Sequence, residues 1–122
     1  HLGPRRVGQE ARVQRSQLEV FDAMPFLFWA KDADGRYIWG NRTINAFARQ
    51  DVAGKTDDEL LWADNADALR TDDREVLRTG EPIFRHEYVD QSEKGKATLS
   101  VCKFPGELDG ARCVMGVSFV IY

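Results

Sequence analysis

The stretch from Met24 to Asn41 constrains the fold more than any other part of the chain. Phe26 to Lys31 is short and aromatic-rich, the composition of a strand. Asp32-Ala33-Asp34-Gly35 is turn chemistry, because glycine accepts a positive φ and aspartate bonds its own backbone. Arg36 to Gly40 is predicted to return as a second strand. Asn41 then precedes Ile44 and Phe47 and is placed to cap a helix. Strict alternation puts Phe26, Phe28 and Ala30 on one side of the hairpin and Leu27 and Trp29 on the other, with Tyr37 and Trp39 opposite Ile38. Both sides are therefore apolar. A sheet wetted on one face alternates apolar with polar residues, so this hairpin needs cover on both faces.

The rest of the chain supplies that cover and closes the sheet. Residues Gln9 to Phe21 are predicted to be helical, with Val7, Ala11, Gln14, Leu18 and Phe21 spaced as a coiled-coil seam with one polar member. Pro25 ends that helix. After the hairpin, Asn41 to Arg49 is a short helix burying Ile44 and Phe47. Thr56 and Glu59 form a capping box ahead of a turn that buries Leu60, Leu61 and Trp62. Ala63 to Arg78 is a longer helix carrying Ala66, Leu69, Val76 and Leu77, stopped by Gly80 and Pro82. Three strands follow, at Glu81 to Asp90, Ala97 to Phe104 and Ala111 to Tyr122, joined by turns at Lys94-Gly95 and from Pro105-Gly106 to Asp109-Gly110. This order predicts an α+β fold: a five-stranded antiparallel sheet, short helices over one face, and an N-terminal flanking helix. The expected division is a flanking helix over residues 1–22, with a polar start and a possible tag remnant at 1–3, and a domain over 23–122.

Composition narrows the function classes. The chain has 122 residues, enough for one domain with a modest core. A net charge of −3 gives no general attraction to nucleic acid or to acidic membranes, and no partner of either kind is expected. No apolar run approaches the roughly 18 residues of a membrane span, and no secretory signal is legible. Cys102 and Cys113 make no disulfide framework and read as small buried hydrophobes in a reducing compartment, so a cytoplasmic location is expected.

The ordered landmarks resemble the PAS domain, a sensory module, over nearly all of Phe21 to Phe119. Met24-Pro25 opens the first strand and Lys31-Asp32-Ala33-Asp34-Gly35-Arg36-Tyr37 makes the first turn. Gly54-Lys55-Thr56-Asp57 resembles the family's entry to its middle helices. Asp73 to Pro82 resembles its long helix and the step into the third strand. Lys103-Phe104-Pro105, Asp109-Gly110 and Gly116-Val117-Ser118 resemble its closing hairpin. Where many members end in Asp-Ile-Thr, this chain reads Val120-Ile121-Tyr122, which leaves the signal route past Tyr122 open.

The resemblance implies a sensor of a bacterial signalling protein, with a histidine kinase (a two-component system), cyclic-di-nucleotide enzyme or transcriptional regulator as output in the same parent chain. It implies a small-molecule pocket between sheet and helices. The alternative is a ligand-free PAS domain that acts as a dimerisation or protein-interaction module. The candidate pocket residues are Phe28, Ala30, Tyr37, Trp39, Asn41, Ile44, Phe47, Leu61, Leu69, Val76, Phe84, Leu99, Val101, Met115 and Val117. A homodimer is expected through Val7, Ala11, Gln14, Leu18 and Phe21.

Other chemistries lack their residues. Gly54-Lys55-Thr56 is no phosphate loop, since Arg49 stands where that motif needs glycine. Haem needs an axial ligand, and His86, the only internal histidine, falls on a strand. The light-sensing branch of the family carries an Asn-Cys-Arg motif on a middle helix, which is absent here, so neither haem nor flavin is expected. No Cys/His cluster suggests a metal. The acidic runs Asp57-Asp58-Glu59 and Asp72-Asp73 read as caps and solvated faces, and no set of nucleophile, base and orienting group suggests an enzyme.

Overall fold

The computed structural model describes residues 10–90 and 96–121. The strands are β1 (Ala11–Val13), β2 (Leu27–Lys31), β3 (Tyr37–Gly40), β4 (Ile83–Asp90), β5 (Lys96–Leu108) and β6 (Ala111–Ile121). The helices are α1 (Arg42–Ala48) and α2 (Ala66–Thr79), with 3-10 turns at Arg15–Phe21, Asp57–Glu59 and Ala63–Asn65. Val7, the residues at the start of the chain, the Lys94-Gly95 turn and Tyr122 lie outside the described residues. Among those described, no helix is long and apolar enough to cross a membrane.

The hairpin forms as its sequence predicts, with β2 pairing antiparallel to β3 and, on its other edge, to β6. β6 pairs β5 from Thr98 to Leu108, and β4 pairs the first part of β5. The sheet has six strands rather than five, and the additional one is parallel. β4 covers β5 only as far as Lys103, and β5 runs straight through Pro105-Gly106 to Leu108 instead of turning there. That leaves a bare edge of unpaired backbone groups, which a sheet must cover. Ala11–Val13 covers it, in register with Gly106–Leu108.

This pairing replaces the expected N-terminal α-helix. The chain leaves β1 at Gln14 and turns once through Arg15–Phe21. Asp109 in the β5–β6 turn ties both segments down: its carboxylate accepts the Arg15 N–H at 3.0 Å and its own N–H reaches the Val13 carbonyl at 3.0 Å. Of the expected seam, Ala11 lies exposed in β1 and Gln14 is exposed. Leu18 is fully buried on its own sheet, and Phe21 meets Phe28 edge-on with ring centres 5.0 Å apart. Among the described residues the expected seam does not lie on one continuous helix. A single hydrophobic side chain under a short turn gave better burial than a solvent-exposed helix with one apolar stripe.

The sheet carries an apolar cluster on each face, as the hairpin requires. Leu27, Trp29, Tyr37, Ile44, Ala48, Val52, Leu60, Trp62, Leu69, Val89, Leu99 and Val101 form the core under the helices. Leu18, Phe28, Ala30, Leu108, Cys113 and Met115 form the outer core, joined by Phe21, Phe26, Trp39, Phe104 and Val117.

One irregularity redistributes the aromatic residues. Ala30 pairs Trp39, yet Lys31 pairs Tyr37, so Ile38 bulges out of register. Tyr37 therefore enters the helix-side core while Ile38 and Trp39 both join the outer one. Asn41 locks the end of this hairpin to α1. Its side-chain oxygen accepts the N–H groups of Ile44 and Phe28, and its amide donates to the carbonyls of Phe21 and Phe26, all within 3.1 Å.

Candidate functional site

Leu27, Trp29 and Lys31 share the helix-facing side of β2. The third member of that apolar row is a lysine, and it is fully buried. A buried ammonium needs carboxylates, and two reach it. Lys31 Nζ donates to Asp57 Oδ2 and to Asp73 Oδ2, each at 2.7 Å. Asp57 comes from the 3-10 turn that follows α1 and Asp73 from the middle of α2, so one side chain pins both covering segments to the sheet.

Asp57 is further held by Tyr37 Oη and Trp62 Nε1, which donate to its Oδ1 at 2.8 Å. Burial alone would raise the Asp57 pKa, but the Lys31 charge and these donated bonds outweigh it and hold the carboxyl below its ordinary value. Burial would likewise lower the Lys31 pKa, and the two carboxylates hold it above the ordinary lysine value. Tyr37 is pushed well up, by burial first and then by the Asp57 charge, so it stays a phenol and a donor.

A second buried lysine continues the network on β5. Lys103 Nζ lies 3.2 Å from Asp73 Oδ1, an ion-pair contact that is too poorly directed to be a hydrogen bond. It reaches the Leu69 carbonyl at 3.4 Å and Glu87 Oε2 at 3.9 Å. Burial raises the Glu87 pKa, and the Lys103 charge offsets only part of that.

Between this network and the core lies a small cavity. Leu27, Trp29, Lys31, Tyr37, Ile44, Trp62, Leu69, Glu87, Val89, Leu99, Lys103 and Ser118 line it. The space open to the centre of a water molecule is about 30 Å³, and a water needs roughly 10–15 Å³ by that measure. The indole of Trp29, one of the lining residues, lies directly on the β6 backbone at Gly116, where a Cβ would stand 2.2 Å from Trp29 Cζ2. Trp29 Nε1 and Ser118 Oγ are buried at this cavity with no hydrogen-bond partner among the described residues. Buried polar atoms are rarely left so, and their presence marks a place for something polar.

The candidate pocket residues fall into four groups. Tyr37, Ile44, Leu69 and Leu99 line the cavity, and Phe47 and Val101 belong to the same core. Val76 is buried on α2 and Asn41 caps α1, both away from the lining. Phe28, Ala30, Trp39, Met115 and Val117 pack on the opposite face of the sheet. That is a correction, and strand register is its cause: Trp39 pairs Ala30, and the β2–β6 register pairs Phe28 with Val117 and Ala30 with Met115, all on the outer side, while the bulge at Ile38 turns only Tyr37 to the helix side. Leu61 and Phe84 are exposed, Leu61 because the turn that buries Leu60 and Trp62 points it outward, Phe84 because it sits on the outer face of β4.

The reading of residues missed the polar half of the site. Asp57 and Asp73 are buried ion-pair partners and not solvated caps, although the box of Thr56 and Glu59 does form, with Glu59 accepting the Thr56 N–H at 3.1 Å. The signal was Lys31 itself, two residues beyond Trp29 on an apolar row. The residues do not fit haem or a flavin adduct at this cavity: His86 is exposed on β4, and Cys113 is buried in the outer core.

The open sheet with helices gathered over one face defines an α+β domain. A family model described as the PAS fold matches residues 21–122, and the chain belongs to the PAS family. None of the curated proteins matches the sequence. Among solved structures, the VqmA dimer of Vibrio cholerae without its target DNA is 18% identical, with a TM-score of 0.76 over 88% of this chain and 51% of that one. The PAS domain of an HTR-like protein from Haloarcula marismortui is 21% identical, with a TM-score of 0.70 over 87% of this chain and 90% of that one. The PAS domain of Bordetella pertussis BvgS is 21% identical, with a TM-score of 0.66 over 88% of each chain. The chain spans about half the length of the VqmA chains it matches.

One expectation is corrected by these likenesses. The charge balance was read as excluding a nucleic-acid partner, yet a similar solved structure is a VqmA complex with ligand and DNA. The charge of a sensor domain says nothing about the region it is joined to, so that exclusion does not hold.

Proposed function

We propose that this domain is the sensory part of a signalling protein and that its stimulus is a small molecule taken up in the helix-side cavity. The single observation that carries this reading is the pair of buried, unpartnered polar atoms, Trp29 Nε1 and Ser118 Oγ, at a cavity in the core. The Lys31 pairs supply a way to pass occupancy on, because Asp57 and Asp73 tie two covering segments to the same floor. The output is a kinase, a cyclic-di-nucleotide enzyme or a transcriptional regulator in the parent chain. A cytoplasmic setting fits the two free cysteines. The reading includes no haem and no flavin, since the cavity is far smaller than either and offers neither an axial histidine nor a cysteine. The domain itself carries no catalytic role.

A second reading has its own support. The cavity is small, and Phe84, Tyr88, Phe119 and Ile121 stand exposed on the outer side of β4 and β6. A ligand-free interaction module would look the same. Thermal denaturation against a panel of small metabolites separates the two. The wild type is compared with Ser118→Leu, which fills the cavity with apolar atoms. Compounds that raise the melting temperature of the wild type alone, saturably, support sensing by mass action. If every effective compound acts equally on both proteins, the sensing reading fails and the interaction module stands.

A further inference from the structure

The chemistry of the cavity wall selects what it can hold. Trp29 Nε1 only donates, Lys103 Nζ only donates, and Ser118 Oγ can do either. Trp29 Nε1 and Ser118 Oγ have no partner among the described residues, and the ammonium of Lys103 has one long bond to a carbonyl, one misdirected contact to Asp73 and a distant ion pair with Glu87 at 3.9 Å. Three groups therefore offer hydrogen atoms to the same small space. Adjacent positions in the sheet bring them together: Trp29 pairs Gly116, Gly116 pairs Lys103, and Ser118 is two residues along β6 on the same side. The apolar side chains of the lining, Leu27, Val89 and Leu99 on the same sheet and Ile44 and Leu69 from the helices above it, offer none.

Charge decides between neutral and ionic guests. Around the cavity two ammonium groups, Lys31 and Lys103, face three carboxylates, Asp57, Asp73 and Glu87. The surplus is one negative charge with Glu87 ionised and none with it protonated. An anion would add to the surplus in a site stripped of water, where charge is expensive. A cation such as an ammonium would bring donors to the donors Trp29 Nε1 and Lys103 Nζ, and the Glu87 carboxylate that could receive it is already engaged by Lys103.

From this we infer that the cavity takes a small uncharged molecule with a hydrogen-bond acceptor, such as a carbonyl oxygen or a ring nitrogen, held by Trp29 Nε1 and Ser118 Oγ with Lys103 beside them. The inference rests on the reading of this cavity as the sensing site. The apolar part of the guest lies against Leu69, Val89 and Leu99. Anything beyond a few atoms must push back the cover, and Trp62 is the lining residue on the connection between the two 3-10 turns.

The test uses three probes of one shape: cyclopentanone, cyclopentanecarboxylate and cyclopentylammonium. Each is titrated into nitrogen-15-labelled protein while the indole N–H signals of Trp29, Trp39 and Trp62 are followed. Cyclopentanone is expected to shift the Trp29 indole signal saturably and downfield, with Trp39, on the outer face, unmoved. The two ions are expected to bind at least tenfold more weakly. Trp29→Phe and Ser118→Ala should each weaken cyclopentanone at least fivefold; if Trp29→Phe does not fold, the wild-type indole shift and Ser118→Ala still decide. Tighter binding of either ion at the cavity, or cyclopentanone binding there without moving the Trp29 signal, overturns the inferred class and leaves the sensing site intact. If none of the three perturbs any cavity residue, both the inference and the sensing reading fall.

Discussion

Lys31→Met removes the charge that holds the covering segments to the sheet and replaces it with a side chain of similar length. Lys31 is 1% exposed and makes two bonds of 2.7 Å, so its loss strands buried carboxylates. Breaking a buried pair by removing one partner costs about 3–5 kcal/mol. Here Asp73 retains Lys103 at 3.2 Å, and Asp57 retains the donors Tyr37 and Trp62, so the lower end, about 3 kcal/mol at pH 7, is expected. Urea denaturation followed by tryptophan fluorescence measures it. The cost should depend on pH in a defined direction. In the wild type the Asp57 pKa is held down, so Asp57 contributes stability above its unfolded value, which is lost as pH falls through the lower folded one. Without Lys31, burial is the main influence left and raises that pKa. The variant then gains stability as pH falls through the raised value towards the unfolded one. The gap between the two proteins therefore narrows from pH 7 to about pH 4.5, near the unfolded carboxyl values. The double variant Lys31→Met/Asp57→Asn should recover most of the loss, since the amide oxygen still accepts from Tyr37 and Trp62. A loss under about 1 kcal/mol, or one equal at both pH values, would refute the reasoning, because the value of a solvated pair lies in that range.

Three further outcomes are expected. Asn41→Ala removes four bonds at a fully buried position and should destabilise the domain by about 2–3 kcal/mol, read by chemical denaturation. Gly116→Ala places a Cβ 2.2 Å from the Trp29 ring and should cost about 1–3 kcal/mol and change the Trp29 indole environment in the nitrogen-15 spectrum. The purified protein should be featureless above about 350 nm, since haem and flavin lack their residues; a Soret or flavin band would overturn that part of the reading.

The hairpin and helix signals were legible because each is local. Asn41 before Ile44 is a cap wherever it occurs, and Thr56 with Glu59 is a box of adjacent residues. Both apolar faces of the sheet could also be read, from Phe28 and Trp29 on neighbouring positions. Three things could not. The bulge at Ile38 is a choice of register between strands, and it alone parts Tyr37 from Trp39, sending Tyr37 to the helix side. The bare edge of β5 that recruits Ala11–Val13 exists only once β4 has stopped at Ile83, so the four-three spacing upstream suggested a helix. The network of Lys31, Asp57, Asp73 and Lys103 spans most of the chain, and taken singly each looks like a surface residue. Only the parity of Lys31 with Leu27 and Trp29 betrayed it.

The most direct test of the cavity as the sensing site is a crystal structure with a compound that raises the melting temperature of the wild type but not of Ser118→Leu. The compound is predicted to lie between Trp29 and Leu99, with an acceptor atom within hydrogen-bond distance of Trp29 Nε1. A compound seated on the outer face, over Phe84 and Phe119, with the cavity unchanged, would contradict the account.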